Sequence, residues 1–221
     1  MITSVIDNMC YQTEEYMPPD PTETIKKILA SAKAEFLQKG YGGASLRKIA
    51  ARAGLTTGAL YRHYADKESL YRALVEPVYH EFLDSLRGQT DYYDSLLATE
   101  GLNAMWERSG RSVEALFRYI YDHLDEFKLL LSAEKRTVYG DFREQLIRSD
   151  VELTMRYIQS ARQRKYTTRD FTSEELYVIV LGQYSGFFEI VLQNDEMEKA
   201  IQYARLYSIF CNAGWKALLE G

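Results

Sequence analysis

The chain has 221 residues, 46% apolar and 27% charged, proportions that exclude a disordered protein and leave room for a sizeable core. Its net charge of -5 is unevenly divided: residues 1–21 hold four acids and no base, residues 22–72 ten bases and four acids, and residues 73–221 seventeen bases and twenty-four acids. Counterion release depends on the local basic cluster that meets phosphate, so the acidic average does not exclude DNA as a partner.

In chain order, the leader MITSVIDNMCYQTEEYMPPDP lacks a basic region followed by an apolar core and does not read as a signal peptide. In DPTETIKKILASAKAEFLQKGY, Asp20 can cap a helix, Pro21 suits its first position, and Ile25, Ile28, Leu29, Ala32, Phe36 and Leu37 recur at helical spacing. Gly40 is the expected stop. Ser45 opens a second short helix with the stripe Leu46, Ile49, Ala50 and Ala53, ended by Gly54. A third starts at Thr56 or Thr57 and stops near Tyr64, because Asp66 reads as the cap of a fourth, in which Pro77 is a candidate kink. Beyond Gly88 helical periodicity continues over about 92–108, 112–123, 125–134, 141–163, 173–192 and 195–219, with Ser173 as a cap. The predicted fold is all-α: a small three-helix helix-turn-helix head, residues 20–72, and a larger helical body, residues 73–221, for ligand binding and dimerisation.

Two short helices joined by AGL suggest a helix-turn-helix, whose second helix enters the major groove while the first braces it. The small residues Thr56, Thr57 and Gly58 allow close approach to base edges, and the threonines offer hydroxyls and methyls. Tyr61, Arg62 and His63 lie near the rim, within reach of the sugar-phosphate backbone, and Lys67 adds a charge at the next helix start. Arg47 is a long arm for base or phosphate, and Ser45 serves as cap, phosphate contact or both.

The segment LRKIAARAGLTTGALYRHYADKESLYRAL resembles the DNA-binding domain of TetR-family transcriptional regulators. The pattern matches at Ile49, Ala50, Ala53, Gly54, Leu55 and Gly58, and again at Tyr61, His63, Tyr64, Lys67, Glu68 and Leu70. This resemblance implies DNA contacts by Tyr61, His63 and Lys67, and close approach at Gly58. Tyr64 stands where the family often has Phe, and Arg62 falls at a variable position, so its role is argued from charge alone.

For the body, the final two helices are the expected dimer surface: Gly182, Ser185, Gly186 and Glu189 on one, Leu206, Phe210 and Ala213 on the other. Four paired helices across a homodimer are also what the resemblance implies, and burial in the chain's own core is the competing reading. The 18 tyrosines suit a pocket for an apolar or aromatic ligand, with Trp106, Phe117, Tyr121, Met155, Tyr177, Tyr184 and Phe188 as candidates, although an ordinary helical core uses such residues too. His123 and Glu126 lack convergent partners for a metal. No cofactor loop or nucleophile-base pair suggests an enzyme. Apolar runs such as LYVIVLG and FFEIVL predict no membrane span, and Cys10 and Cys211, in unlike contexts, fit a reducing cytoplasm. The leading expectation is a repressor released from double-stranded operator DNA by a small ligand; the alternative is a DNA binder whose body is a protein-interaction module without an effector.

Overall fold

The computed structural model describes residues 21–99, 113–166 and 169–220. Nine helices are seen among them: α1 (Pro21–Gly43), α2 (Leu46–Arg52), α3 (Thr57–His63), α4 (Lys67–Thr99), α5 (113–122), α6 (Leu124–Leu131), α7 (Phe142–Gln163), α8 (Ser173–Gln193) and α9 (Met197–Glu220). No strand occurs among the described residues.

Local chemistry sets the short elements of the head. The Ser45 hydroxyl accepts from the Lys48 N–H and starts α2, and the Thr56 hydroxyl accepts from the Ala59 N–H and starts α3. Between them Gly54 takes φ +74, which lets its N–H reach the Ala51 carbonyl and the Leu55 N–H reach the Ala50 carbonyl. This paired closure needs a left-handed residue, so glycine fits here on backbone grounds alone. The Ser69 backbone N–H donates to Asp66 at 2.6 Å and the Asp66 N–H to the Ser69 hydroxyl, a reciprocal cap that starts α4. Hydrogen bonding to Ser69, from its backbone N–H first and then its side chain, holds the Asp66 carboxyl below the usual range.

Gly40, with φ 66, breaks the helical geometry inside α1, as the glycine stop predicts, although one further turn follows before α2. α4 differs from expectation. It continues through Pro77 and Gly88 for 33 residues, roughly 50 Å, and so crosses the boundary at residues 72 and 73. A single glycine costs a helix only about 1 kcal/mol, too little to end one of this length. Thr172, one residue before the expected cap, starts α8 through a reciprocal pair with Glu175.

Ile28, Phe36, Ile49, Leu60, Leu70 and Tyr71 fill the head and run continuously into the body core. The Tyr71 phenol donates to the Leu129 carbonyl at 2.9 Å across this join. Further ties come from segment 132–141: the Gly42 N–H donates to Glu134 at 2.6 Å, and the Val138 N–H to Glu68 at 3.0 Å. Lys33 pairs with Glu126 at 2.6 Å.

α8 revises the membrane expectation in one respect. By length and composition it is apolar enough to cross a bilayer, with a mean hydropathy of 1.3 over 18 residues. Only 22% of that window is buried in the chain, so α8 is not an ordinary core helix either. Its inner face packs on α7 and α9, and its outer face carries exposed Val178 and Leu181.

Candidate nucleic-acid interface and internal cavity

On the outer face of α2 and α3, Arg47, Thr56, Gly58, Arg62 and His63 are exposed, Ser45 and Thr57 are half-buried, and Tyr61 is 50% exposed. Leu60 is buried and Tyr64 half-buried, so they form the inward side of α3. A methyl built on Gly58 would meet nothing within 4 Å, so no packing inside the chain demands glycine there. Ser45 and Thr56 spend their oxygens as helix caps, which fixes the start of each helix relative to the turn.

Lys67 is placed differently from the rim residues. Its ammonium donates to the carbonyls of Tyr41 at 2.7 Å, Ala44 at 3.3 Å and Gly42 at 3.4 Å, and lies 4.7 Å from the centre of the Tyr41 ring. All three ammonium donors are thus engaged in clamping the α1–α2 joint against the start of α4. Sequence reasoning also missed Glu35, a buried acid on α1 that accepts from the Ser45 N–H at 3.3 Å and pairs with Arg52 at 3.7 Å. Its spacing on α1 resembles any surface glutamate, so only the fold reveals its job of holding α2.

The body contains a cavity of about 400 Å³ bounded by α4, α5, α6, α7 and α8. Phe82, Leu83 and Leu86 face it from α4, Leu116, Phe117 and Ile120 from α5, and Phe127 and Leu131 from α6. α8 contributes Tyr184, Phe187, Phe188 and Val191, with Gln183 at the edge accepting from the Trp215 indole at 2.7 Å. α7 adds apolar Phe142, Leu146 and Leu153 and a polar strip of Gln145, Ser149 and Asp150. Burial pushes the Asp150 carboxyl up to about 6. The Tyr184 phenol is raised well above its ordinary value, first by burial and then by the negative charge of Asp150.

Of the expected ligand residues, Phe117, Tyr184 and Phe188 meet on this cavity. Tyr121 does not, because its phenol is tied to the Asn194 carbonyl at 2.8 Å. Tyr177 lies on a separate shallow groove between α7 and α8, where its phenol donates to Glu144 at 2.8 Å. Met155 packs against the core away from the cavity, and Trp106 lies outside the described residues.

The outer faces of α8 and α9 form an apolar stripe: Val178 and Leu181, then Leu206, Ile209 and Phe210, the last 72% exposed. Gly182, Ser185, Glu189 and Ala213 are exposed on the same two helices. Gly186 has another use, a correction to its place among the contact residues. A Cβ there would run into the Tyr207 ring, so Gly186 lets α9 pack against α8 within one chain. The Tyr207 phenol donates to the Gly182 carbonyl at 2.9 Å and fixes the same contact.

Comparison with known proteins bears on both regions. The family described as bacterial regulatory proteins, tetR family, matches residues 28–74, which span the head and the first turns of α4. The biofilm operon icaADBC HTH-type negative transcriptional regulator IcaR of Staphylococcus epidermidis is 33% identical over 97 residues, 43% of this chain and 45% of its own length. The HTH-type transcriptional repressor KstR2 of Mycolicibacterium smegmatis is 28% identical over 168 residues, 64% of this chain and 77% of its own. Among solved structures, SmeT, the repressor of the Stenotrophomonas maltophilia multidrug efflux pump SmeDEF, has a TM-score of 0.56 at 17% identity, over 87% of this chain and 91% of that one. The fatty acid degradation regulator FadR of Bacillus halodurans has a TM-score of 0.55 at 16% identity, over 86% and 98%. At such identities the structural likeness speaks for the fold of head and body together, and the sequence matches speak for the head. With a helix-turn-helix capped, closed and exposed as described, residues 28–74 form a DNA-binding head of the TetR-family type, and the chain spans about half the length of the IcaR relative it matches.

Proposed function

We propose that the protein is a homodimeric, ligand-responsive repressor that works in the cytoplasm, reading double-stranded operator DNA with two α3 helices and releasing it when a small molecule fills the body cavity. The observation that carries this reading is the pairing of an exposed, basic helix-turn-helix with a cavity of about 400 Å³ in the same chain. A body serving only as a protein-interaction module has no use for an internal void lined by Phe117, Tyr184 and Phe188, so the cavity favours the effector reading.

The exposed stripe on α8 and α9 supports a second copy as partner, since a two-fold pairing of these helices covers apolar surface on both subunits and sets two heads a fixed distance apart. A route for coupling follows from continuity. Leu131 and Phe142 border the cavity at the two ends of segment 132–141, and that segment holds Gly42 and Glu68 beside the helix-turn-helix. A ligand that shifts those two walls biases the position of the head.

The test is binding of the full-length protein to DNA fragments surrounding its own gene, at fixed moderate salt and against excess competitor. A saturable complex with two chains per site that dissociates on adding a small molecule supports the whole reading. An operator complex unaffected by a broad compound set removes the effector part. Failure to recover any sequence from a random pool removes DNA recognition itself.

A further inference from the structure

Asp150 is the one charged residue on the cavity wall among the described residues, and no hydrogen bond or ion pair reaches its carboxyl from them. The titratable group that faces it is Tyr184 from α8, while α4, α5 and α6 present only apolar side chains to the void. Arg143, two turns earlier on α7, does not line the cavity. Its guanidinium donates to the Leu131 carbonyl at 2.6 Å and lies 5.4 Å from the centre of the Phe188 ring.

Asp150 is half-buried on the cavity wall, and a partly desolvated carboxylate without a counter-charge is normally relieved by protonation or by a cation. The surrounding rings add to this preference. Phe117, Phe187, Tyr184 and Phe188 line the same space, with Phe117 and Phe187 5.8 Å apart and Tyr184 and Phe188 5.5 Å apart, and aromatic rings are favourable neighbours for a cation. A fatty acid or other organic anion would meet Asp150 as a like charge.

We propose that Asp150 is the recognition group of the cavity and that its ligand is a lipophilic organic cation, an amine or quaternary ammonium carrying an aromatic or aliphatic body. This rests on the reading of the body as an effector site and adds the charge of the effector. The carboxyl, held near 6 by burial, is ionised at neutral pH and is offered to the ligand as a carboxylate. Protonation below that value removes the attraction, so the affinity for a cation falls as pH drops from 8 to 5.

The experiment is calorimetric titration of the full-length protein at about pH 8 with three probes of one skeleton: biphenylmethylamine, biphenylmethanol and biphenylacetic acid. The amine is expected to bind at least about tenfold tighter than the alcohol, the acid weakest, and Asp150→Asn to bring amine and alcohol together. A second measurement needs no variant: in the unaltered protein the amine's advantage over the alcohol shrinks between pH 8 and pH 5. Equal binding of amine and alcohol, tightest binding of the acid, or an advantage that ignores pH overturns the cation while leaving the cavity an effector site. Binding by none of the three also overturns the proposal; if another small molecule still dissociates the operator complex, the effector reading survives on its own.

Discussion

In the head, the candidate DNA-contacting groups stand outside a closed core: Tyr61, Arg62 and His63 face solvent, while Ile49 and Leu60 are sealed beneath them. In the body the arrangement is reversed, with Asp150 and Tyr184 turned inward to a void and the outer faces of α8 and α9 left apolar. Under the proposed function the contrast separates two tasks. A surface that reads DNA needs rigid support and exposed donors, whereas a chamber that responds to a ligand needs unfilled volume and an unmet charge, both of which cost stability.

The comparison is broken most severely at the stripe. Leu206→Asp combined with Phe210→Asp places four carboxylates in a two-fold interface, and each exposed apolar anchor there is worth on the order of 2 kcal/mol or more. The variant is expected to be monomeric at micromolar concentration in sedimentation, to bind its operator roughly a hundredfold more weakly, and to melt close to the unaltered protomer. A variant that remains dimeric places the interface elsewhere.

Within the head, Lys67 and Arg62 separate support from reading. Lys67→Met removes a charged donor from three carbonyls and is expected to lower the unfolding free energy by about 2 kcal/mol in urea. Arg62→Ala is expected to change stability by less than about 0.5 kcal/mol, yet to weaken DNA binding across sequences and lower the salt slope by about 1. Should Lys67→Met melt normally and lose DNA, its charge serves phosphate rather than the α1–α2 joint.

A smaller effect reports on the body. The Asp150 carboxyl rises from an ordinary 3.8 to about 6 on folding, so the folded chain holds a proton that the unfolded chain has released between those values. The associated stability is complete below 3.8 and is lost as pH rises through 6. Asp150→Asn removes this loss. It is expected to be more stable than the unaltered protein by roughly 1–2 kcal/mol at pH 8, with a smaller difference at pH 4, in denaturant titrations at the two values. An unchanged difference across that range would mean that the carboxyl is not desolvated.

The two regions also differ in how far the sequence reveals them. Ser45, Gly54, Thr56 and Asp66 act through neighbours within five residues, so caps and turns were readable from spacing alone. Periodicity locates α7, α8 and α9 to within a few residues, whereas α4 runs on past Gly88 because a single glycine is a weak stop. The cavity had no comparable signal. Its walls come from five helices between Phe82 and Val191, and Asp150 sits in a stretch, EQLIRSDVEL, where an acid reads as solvated surface. Aromatic content identified Phe117, Tyr184 and Phe188, but it could not tell them from Tyr121, whose phenol is spent on a carbonyl. Small residues on α8 were similarly ambiguous, since Gly186 makes room for Tyr207 of the same chain.

Gly58 offers the finest test of the head, because its two expected effects have opposite signs. In the free chain a methyl at this position has open space and no positive φ to strain, so Gly58→Ala should leave folding intact or stabilise α3 by up to about 1 kcal/mol. At a DNA surface the same methyl occupies the approach between α3 and the base edges, and operator affinity is expected to fall about tenfold, near 1.4 kcal/mol. Denaturant unfolding and operator titration of one variant therefore give a direct comparison. A gain in stability with a loss of affinity shows that glycine is kept for the partner. A variant that binds as well as the original removes close approach at Gly58 and shifts the reading of bases toward Thr57 and Arg47.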